Sequence, residues 1–329
     1  MKTREFIADW LKGVAITLMV YGHISHLGAL ATIQKQIVAY IYTFHMALFL
    51  IISGFFFKIS DDSYPKLKKL ISRIARPYII FISLYLCGLW LIERIGIPTN
   101  NTAPQSFLDF LDIIFLKPKG AYWFLHSLLL IQASLLLASC LQLKYKLPVS
   151  HYIIIALFFI AILWHYQLFI AETVVYFLIG MQLRSFTGTE GNILPASLKA
   201  CGLMLVLVWI GNAQLFAFNL VQVAWVLSIM SFLAALGNII KRTPVFLAFT
   251  WLGRNSLIIL VAHALFVVAL KPLAGYLLII DSTGVGYSCL VLSMTLVGCL
   301  LSAFLLDKLA LSVYLFGTTT LYSPFKIQP

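Results

Sequence analysis

Charged side chains are scarce in this sequence, since only 10% of its 329 residues are Asp, Glu, Lys or Arg. A soluble domain typically carries about 25% of them. Hydrophobic residues make up 62% of the chain and form long continuous runs, which excludes a soluble globular protein. The runs do not alternate with period two, as barrel strands would. The sequence therefore predicts an all-α fold, a polytopic bundle of membrane helices.

Acidic residues and cysteines are also few. The 23 Lys and Arg outnumber the 11 Asp and Glu, which gives a net charge of +12. Cytoplasmic loops of membrane proteins collect Lys and Arg, so this excess does not indicate a nucleic-acid partner. The five cysteines lack metal-site or redox spacing and lie in apolar surroundings, as small core residues do. No cleavable signal peptide precedes the first apolar run, which we interpret as a retained span.

Ten apolar stretches are candidates for membrane helices. They lie at about 7–27, 37–57, 77–92, 121–141, 150–165, 168–183, 198–212, 215–239, 255–271 and 286–306. The main Lys/Arg clusters all fall on one side if both termini are cytoplasmic. The apolar segment 107–116 is too short to span and predicts an interfacial or re-entrant piece. We expect a single integral-membrane domain over residues 1–329, without an appended soluble domain.

The first predicted span carries a polar stripe. Lys12 and His23 are close to three helical turns apart, so they share a face and lie roughly 16 Å apart along the axis. Asp9 precedes Lys12 by three residues and His26 follows His23 by three, which predicts the same face for both. Ionisable groups within a membrane helix indicate a functional site by default.

Histidines recur at similar depth in four predicted spans, as His23, His45, His126 and His263. They could line one cavity, or each could be a polar core residue bonded to a backbone carbonyl. The face shared with Lys12 favours function for His23. His23 and His26 also form an H-x-x-H pair, but supporting carboxylates and thiolates are scarce, so we predict no metal site.

Arg73 and Arg76, just before Pro77, allow two interpretations. They could be cytoplasmic topology determinants that contact lipid headgroups, or they could form a phosphate site, because guanidinium groups suit bidentate phosphate contacts. Lys12 could add a further positive charge near the same side of the membrane. Together, these residues would suit a phosphate-bearing cytoplasmic cofactor.

Three further motifs have both structural and functional interpretations. Ser53-Gly54 predicts close helix approach, with Ser53 as nucleophile the weaker alternative. Trp123 is typical of interface aromatics. Asn255 and Ser256 predict a capped helix start, and that helix N-terminus could also receive an anion.

Several motifs follow one another in a recognisable order along the chain. They are Asp9-x-x-Lys12-Gly13 through Gly22-His23, Phe44-His45-Met46 through Ser53-Gly54-Phe55, Arg73-x-x-Arg76-Pro77, Trp123-Phe124-Leu125, and Leu252-Gly253-Arg254-Asn255-Ser256 with His263. With this order, the sequence resembles the membrane acyltransferase family 3, particularly its branch of fucose 4-O-acetylase-like sugar acetyltransferases. The family's core of ten helices agrees with the ten stretches above. The region between about 185 and 240 carries none of the motifs.

The resemblance implies an O-acetyltransferase of the bacterial inner membrane. Such an enzyme moves an acyl group, usually acetyl, from cytoplasmic acetyl-CoA to a hydroxyl of a cell-surface glycan or lipid-linked sugar. It implies that His23 is catalytic, and that Lys12, Arg73 and Arg76 hold the CoA. Asp9 would orient Lys12, and both are candidate catalytic residues beside His23. Candidate substrate contacts are His45, Trp123, His263, Asn255 and Ser256. Membrane lipids are further expected partners, and the sequence is compatible with an oligomer.

Two chemical roles remain open for His23. A neutral imidazole can take the proton of the attacking hydroxyl, or it can itself be acylated and pass the group on. A different class of protein, a secondary transporter of a polar solute, could use intramembrane histidines as a proton relay. Against a transporter, the sequence shows neither an internal repeat nor paired broken helices in matching halves. A catalytically inactive partner in glycan assembly is a third hypothesis, which the intact Lys12 and His23 pair disfavours.

Overall fold

The computed structural model describes residues 6–58, 63–96, 102–187 and 196–325, and within them it contains helices and no strand. In chain order the helices are α1 (Phe6–His23), α2 (Ala31–Tyr42), α3 (His45–Phe56), α4 (Ser63–Leu70), α5 (Arg76–Arg94), α6 (Phe107–Phe115), α7 (Tyr122–Lys144), α8 (Val149–His165), α9 (Ala171–Thr187), α10 (Ala200–Gly211), α11 (Leu220–Ile239), α12 (Pro244–Arg254), α13 (Ser256–Ala269), α14 (Leu273–Ile280), α15 (Val285–Lys308) and α16 (Ser312–Phe316). A π-helical turn covers Ile71–Ala75, and a 3₁₀ turn covers Asn212–Phe216.

The all-α membrane fold is confirmed, and each of the ten predicted spans overlaps a helix. Five helical stretches of the described chain are long and apolar enough to cross a membrane alone: Ala31–Phe56, Ser63–Arg94, Tyr122–Lys144, Leu220–Ile239 and Val285–Lys308. The pair α12 and α13, bent by 82° at its break, would make a sixth. The chain is thus a multi-pass membrane protein. The count of ten, the cytoplasmic termini and the single domain remain predictions.

Some helix boundaries differ from the predicted spans. The first span was expected to reach residue 27, but α1 ends at His23. The chain then turns at Gly28 with φ +85°, and the residues after it bond to the 282–283 backbone. The second span was expected to start at 37, but its helix begins at Ala31 and breaks near Thr43. The short piece at 107–116 is helical as α6, with Ser106 as its N-cap accepting from the Asp109 amide at 3.1 Å.

The described residues fall into two compact units. The first contains residues 6–56, 175–187, 196–301 and 322–325. At its centre α1 packs against α2, α3, α11, α12 and α13. Its side chains Leu11, Ala15, Ile16 and Met19 are fully buried, and the Trp10 indole donates to the Leu233 carbonyl at 2.9 Å. This helix therefore carries its polar residues through the interior of the unit.

Glycines set how closely α1 and α12 approach. A Cβ atom added to Gly13 would lie 1.7 Å from the Phe249 carbonyl oxygen, and one added to Gly253 would lie 1.8 Å from the Asp9 carbonyl oxygen. Neither distance is physically possible, so this crossing requires glycine on both helices. It fixes the register of the two helices at the position of Asp9.

Glycines also allow α3 and α9 to approach closely. A Cβ atom added to Gly54 would lie 1.9 Å from the Phe177 carbonyl oxygen, and one added to Gly180 would lie 2.0 Å from the Ile51 carbonyl oxygen. The close helix approach predicted at Ser53-Gly54 is confirmed.

The second unit contains residues 57–58, 63–96, 102–174 and 302–321. Helix α7 packs here against α4, α5 and α8. The buried Tyr78 hydroxyl donates to the Ile114 carbonyl, and Asp307 accepts from the Leu321 amide at 2.9 Å. The first bond links α5 to α6, and the second holds the segment that follows α15 against the end of that helix.

Candidate active site

Three of the four histidines expected to share a cavity lie together in the first unit. The ring centroids of His23, at the end of α1, and His263, in α13, are 5.1 Å apart. The third ring, His45, lies 5.2 Å from the ring of Tyr42, which is itself 6.2 Å from His23. The fourth, His126, belongs to the second unit. Tyr42 was not identified from the sequence, because only the break after α2 places it beside His23.

Backbone carbonyls fix the protonation pattern of these rings. The Nδ1 atom of His23 lies 2.8 Å from the Met19 oxygen, and that of His45 lies 2.8 Å from the Ile41 oxygen. In His263, Nδ1 lies 2.9 Å from the Ile259 oxygen. A carbonyl only accepts hydrogen bonds, so each Nδ1 carries the hydrogen and each neutral ring keeps its lone pair on Nε2. The carbonyl bonds expected of ordinary core histidines are present, yet they leave one nitrogen of each ring for chemistry.

Two of these Nε2 atoms have no hydrogen-bond partner within the described chain. His263 is fully buried, and its Nε2 lacks a partner. His23 is partly buried, and its hydrogen bond in this part of the chain is the one from Nδ1. The structure therefore places two basic nitrogens on neighbouring rings, the more accessible of them on α1.

Tyr42 closes one side of His23. Its hydroxyl donates to the Gly22 carbonyl at 2.7 Å, and a Cβ atom on Gly22 would lie 2.5 Å from its ring. The glycine before His23 is thus needed for the tyrosine ring to lie against the end of α1.

The N-terminal part of the stripe carries a cluster of charges. The Lys12 Nζ lies 3.5 Å from Asp9 Oδ1, as expected for the two partners, and 5.4 Å from the centre of the Phe56 ring. The other carboxylate oxygen, Oδ2, lies 3.5 Å from Arg254 Nε. The sequence motif contained Arg254, but its pairing with Asp9 was not predicted.

The same pairs of helices flank both ends of the stripe. Phe56 and Tyr42 come from α3 and α2, whereas Arg254 and His263 come from α12 and α13. Both pairs are interrupted, the first near Thr43 and the second by a bend of 82°. Interrupted helices at membrane depth are tolerated where they are buried in protein or line a cavity. The sequence predicted the helix start at Asn255 and Ser256, but it did not reveal the break near Thr43 or the bend between α12 and α13.

A family model described as an acyltransferase domain matches residues 7–304. The chain belongs to the membrane acyltransferase family 3. The match begins in α1 and ends in α15, so both ends of the polar stripe and all four histidines fall within it. Comparisons with curated proteins and with solved structures gave no match. Family membership makes the chain an acyltransferase and answers the transporter alternative.

In this acyltransferase His26 does not extend the stripe, and that prediction was wrong. Since α1 ends at His23, His26 lies in the following loop, where its Nδ1 is 3.0 Å from Gln34 Oε1. Ser288 donates to the same oxygen at 2.7 Å. Burial lowers the pKa of His26 below its ordinary value. The H-x-x-H pair is therefore not held on one helix face, and no group of three or more metal-ligating side chains lies together in the described ranges.

The structure gives Asn255 a different role from the predicted cap. Helix α13 begins at Ser256 as expected, but the Asn255 side chain makes no capping bond. It donates to the carbonyls of Trp251 at 2.9 Å and Ser323 at 3.1 Å, and it accepts from the Ser323 amide at 2.8 Å. The capping prediction for Asn255 was wrong because the returning C-terminal segment engages this amide.

The remaining predicted residues of the acyltransferase lie in the second unit. Arg73 is exposed on the π-helical turn, and Arg76 is exposed at the start of α5, where it donates to the Tyr314 carbonyl at 3.0 Å. Trp123 is partly buried in the first turn of α7. His126 Nε2 lies 3.0 Å from the Phe115 oxygen, so its hydrogen is on Nε2. A π-helical turn is rare and frequently marks functional sites, and the sequence did not predict it.

Proposed function

We propose that this acyltransferase is an O-acetyltransferase of the bacterial inner membrane, in the branch of fucose 4-O-acetylase-like sugar acetyltransferases. It would move an acetyl group from cytoplasmic acetyl-CoA to a hydroxyl of a cell-surface glycan or a lipid-linked sugar. The observation that carries the proposal is the hydrogen bonding of the His23 ring. Its Nδ1 is held by the Met19 carbonyl at 2.8 Å, which leaves Nε2 with a lone pair beside the His263 ring.

In direct transfer, His23 acts as a general base. A sugar hydroxyl is a poor nucleophile at neutral pH, and Nε2 removes its proton as the oxygen attacks the thioester carbon. The carbon–sulfur bond then breaks, and the CoA thiolate takes the proton back from Nε2. A positioned base of this kind contributes about 10² to 10⁴-fold to the rate.

In relayed transfer, the same nitrogen is the nucleophile. Nε2 attacks the thioester carbon and the CoA thiolate leaves, which gives an acetylated imidazole. The sugar hydroxyl then attacks this carbon and Nε2 is released as part of the neutral ring. The hydroxyl proton passes to the CoA thiolate, so that CoA leaves as the thiol. Both routes require a neutral ring with its hydrogen on Nδ1, and the Met19 carbonyl favours that form.

The donor is assigned to the cationic residues. Lys12, which is 26% exposed and held at 3.5 Å by Asp9, supplies a compact positive charge for a phosphate. Arg73 and Arg76 are proposed as further phosphate contacts, on the basis of their exposed guanidinium groups and of the motif. No metal is assigned to the reaction.

The acceptor contacts are proposed for a smaller set of groups. The unpaired Nε2 of His263 suits a hydroxyl hydrogen, and the His45 ring lies 5.2 Å from the Tyr42 ring. Trp123 offers an aromatic face for a sugar. Asn255 is proposed as a support for Ser256, because its amide is bonded to Ser323.

Mass spectrometry of cell-envelope glycans tests this function. Cells that contain the protein should carry sugars heavier by one acetyl group, and cells without it should lack this increment. A transporter would instead move solute independently of acetyl-CoA. If the glycans and lipid-linked sugars were identical with and without the protein, the proposed function would be wrong.

A further inference from the structure

Arg254 is a largely buried charged residue of the first unit. Its side chain is only 10% exposed, and its buried Nε atom has no hydrogen-bond partner within the described chain. Its charged contact there is the Asp9 carboxylate, 3.5 Å from Nε, and its other neighbour is the Phe6 ring at 5.3 Å. A guanidinium is always charged and has five N–H donors, so burying it without acceptors is unfavourable.

Asp9 lies between two cations of the first unit. Its two oxygens face Lys12 and Arg254, each at 3.5 Å. These three side chains carry two positive charges and one negative charge. Lys12 is 26% exposed, so the positive cluster is open to solvent on its side. An anionic ligand would meet two neighbouring cations here, and the Nε atom of one of them, Arg254, has no hydrogen-bond partner among the described residues.

The cluster is rigidly built. Arg254 follows Gly253, which lies against the Asp9 carbonyl so closely that a Cβ atom would approach it to 1.8 Å. Gly13, next to Lys12, makes the reciprocal contact with Phe249. The crossing of α1 and α12 therefore fixes both cations relative to each other before any ligand binds.

We propose that Arg254 and Lys12 together bind the pyrophosphate of the acyl donor, and that Asp9 positions the two cations. The guanidinium offers a bidentate contact and the ammonium a point charge, a combination suited to neighbouring phosphate oxygens. This inference rests on the proposed function, because it takes acetyl-CoA as the donor.

The dimensions of the donor fit this placement. About thirteen bonds join the pyrophosphate of CoA to its sulfur, and an extended chain of that length reaches about 15 Å. Lys12 and His23 are roughly 16 Å apart along α1. A pyrophosphate at Arg254 and Lys12 therefore allows the thioester to reach His23 Nε2.

An Arg254→Gln variant tests the assignment through CoA release by the purified protein. Acetyl-CoA is compared with acetyl-pantetheine, which lacks the phosphates. The variant should raise the KM for acetyl-CoA about tenfold or more, which corresponds to loss of a charge-assisted hydrogen bond. It should leave the KM for acetyl-pantetheine unchanged, and Arg254→Lys should be intermediate. Arg242→Gln, which removes an exposed cation, is the matched control and should behave like wild type.

Equal effects on both donors would show that Arg254 is structural and would overturn the inference, as would an unchanged KM for acetyl-CoA. If Arg254→Gln does not fold, the shift in melting temperature that ligands cause in wild type and in Arg254→Lys tests the inference instead. Wild type should be stabilised by CoA and by inorganic pyrophosphate but not by adenosine, and Arg254→Lys should weaken this response. If adenosine stabilised wild type and inorganic pyrophosphate did not, the inference would also be overturned.

The two proposals fail in distinguishable ways. CoA and pyrophosphate binding that depends on Arg254, without acetyl transfer to any glycan, would contradict the proposed function alone. Acetyl transfer that is indifferent to Arg254 would contradict the inference alone. If neither CoA release nor CoA stabilisation occurred, both would be wrong.

Discussion

His23 shows how one hydrogen bond can define a reactive atom. The Met19 carbonyl lies one turn earlier on the same helix, so the bond at 2.8 Å is built into α1 itself. It leaves Nε2 as the basic nitrogen, next to the Tyr42 and His263 rings. His45 and His263 repeat this arrangement. His45 bonds to the Ile41 carbonyl at the end of α2, and His263 bonds to the Ile259 carbonyl of its own helix.

The buried His26 predicts a pH dependence of stability. Its folded-state pKa lies below the ordinary value of 6.5, because burial disfavours the charged ring. The unfolded chain therefore binds the proton more readily, so the contribution is complete above pH 6.5 and is lost as the pH falls through and below that value.

The measurement is the melting temperature of purified protein between pH 8 and pH 5, roughly the range in which histidine titrates. Wild type should lose more stability towards the acid end than His26→Asn, which keeps a donor near the Gln34 oxygen but does not titrate. Identical pH profiles for the two proteins would contradict this role of His26.

Contacts between residues of one helix could be predicted from the sequence, whereas contacts between residues of different helices could not. Helical periodicity placed Asp9 and Lys12 on one face, and the ion pair at 3.5 Å confirms it. Arg254 is far from Asp9 in sequence, and no spacing rule connects them. His26 was misplaced because the glycine turn that follows α1 has no effect on the apolar pattern.

At the scale of helices, glycine contacts set the geometry of the candidate site. The crossing of α1 and α12 brings Asp9 to Arg254, and the crossing of α3 and α9 fixes the helix that carries His45. The sequence predicted close approach at Gly54. It did not predict α12 as a separate helix, because its 11 residues are too few to span a membrane alone.

Substitution of Gly13 or Gly253 by alanine should disrupt the crossing of α1 and α12. The new Cβ atoms would lie 1.7 and 1.8 Å from backbone oxygens, so the helices must separate. Such overpacking typically costs about 1–3 kcal/mol and sometimes more. Both variants should melt at lower temperature and release less CoA than wild type.

The control for these variants is Gly88→Ala in α5. A Cβ atom there meets nothing within 4 Å, and alanine favours a helix over glycine by about 1 kcal/mol. This variant should be as stable as wild type or slightly more so. If Gly13→Ala and Gly253→Ala melted like Gly88→Ala, the close crossing would be contradicted.

At the scale of the whole molecule, the chain is an all-α membrane protein of the acyltransferase family 3. Composition and the order of the motifs were sufficient to predict this class. The number of spans stays a prediction, because several helices, such as α2 with α3 and α12 with α13, are interrupted. A hydropathy pattern counts apolar length and does not detect a change of direction.

Cysteine labelling tests the ten-span topology. In a variant with the five native cysteines replaced by alanine, Leu116→Cys should react with a membrane-impermeant maleimide in intact cells. Lys144→Cys should react only after permeabilisation. Both positions are exposed on the protein, so accessibility depends on the side of the membrane. Labelling of Lys144→Cys in intact cells would contradict cytoplasmic termini.

The central claim is that His23 Nε2 carries out acyl transfer, and His23→Asn tests it most directly. Asparagine can keep the bond to the Met19 carbonyl but has no basic nitrogen at the Nε2 position. Glycan-dependent CoA release by purified, folded protein should fall about 10² to 10⁴-fold. His165→Asn, at an exposed helix end, should retain the wild-type rate. A His23→Asn protein that releases CoA and acetylates glycan at the wild-type rate would contradict the account.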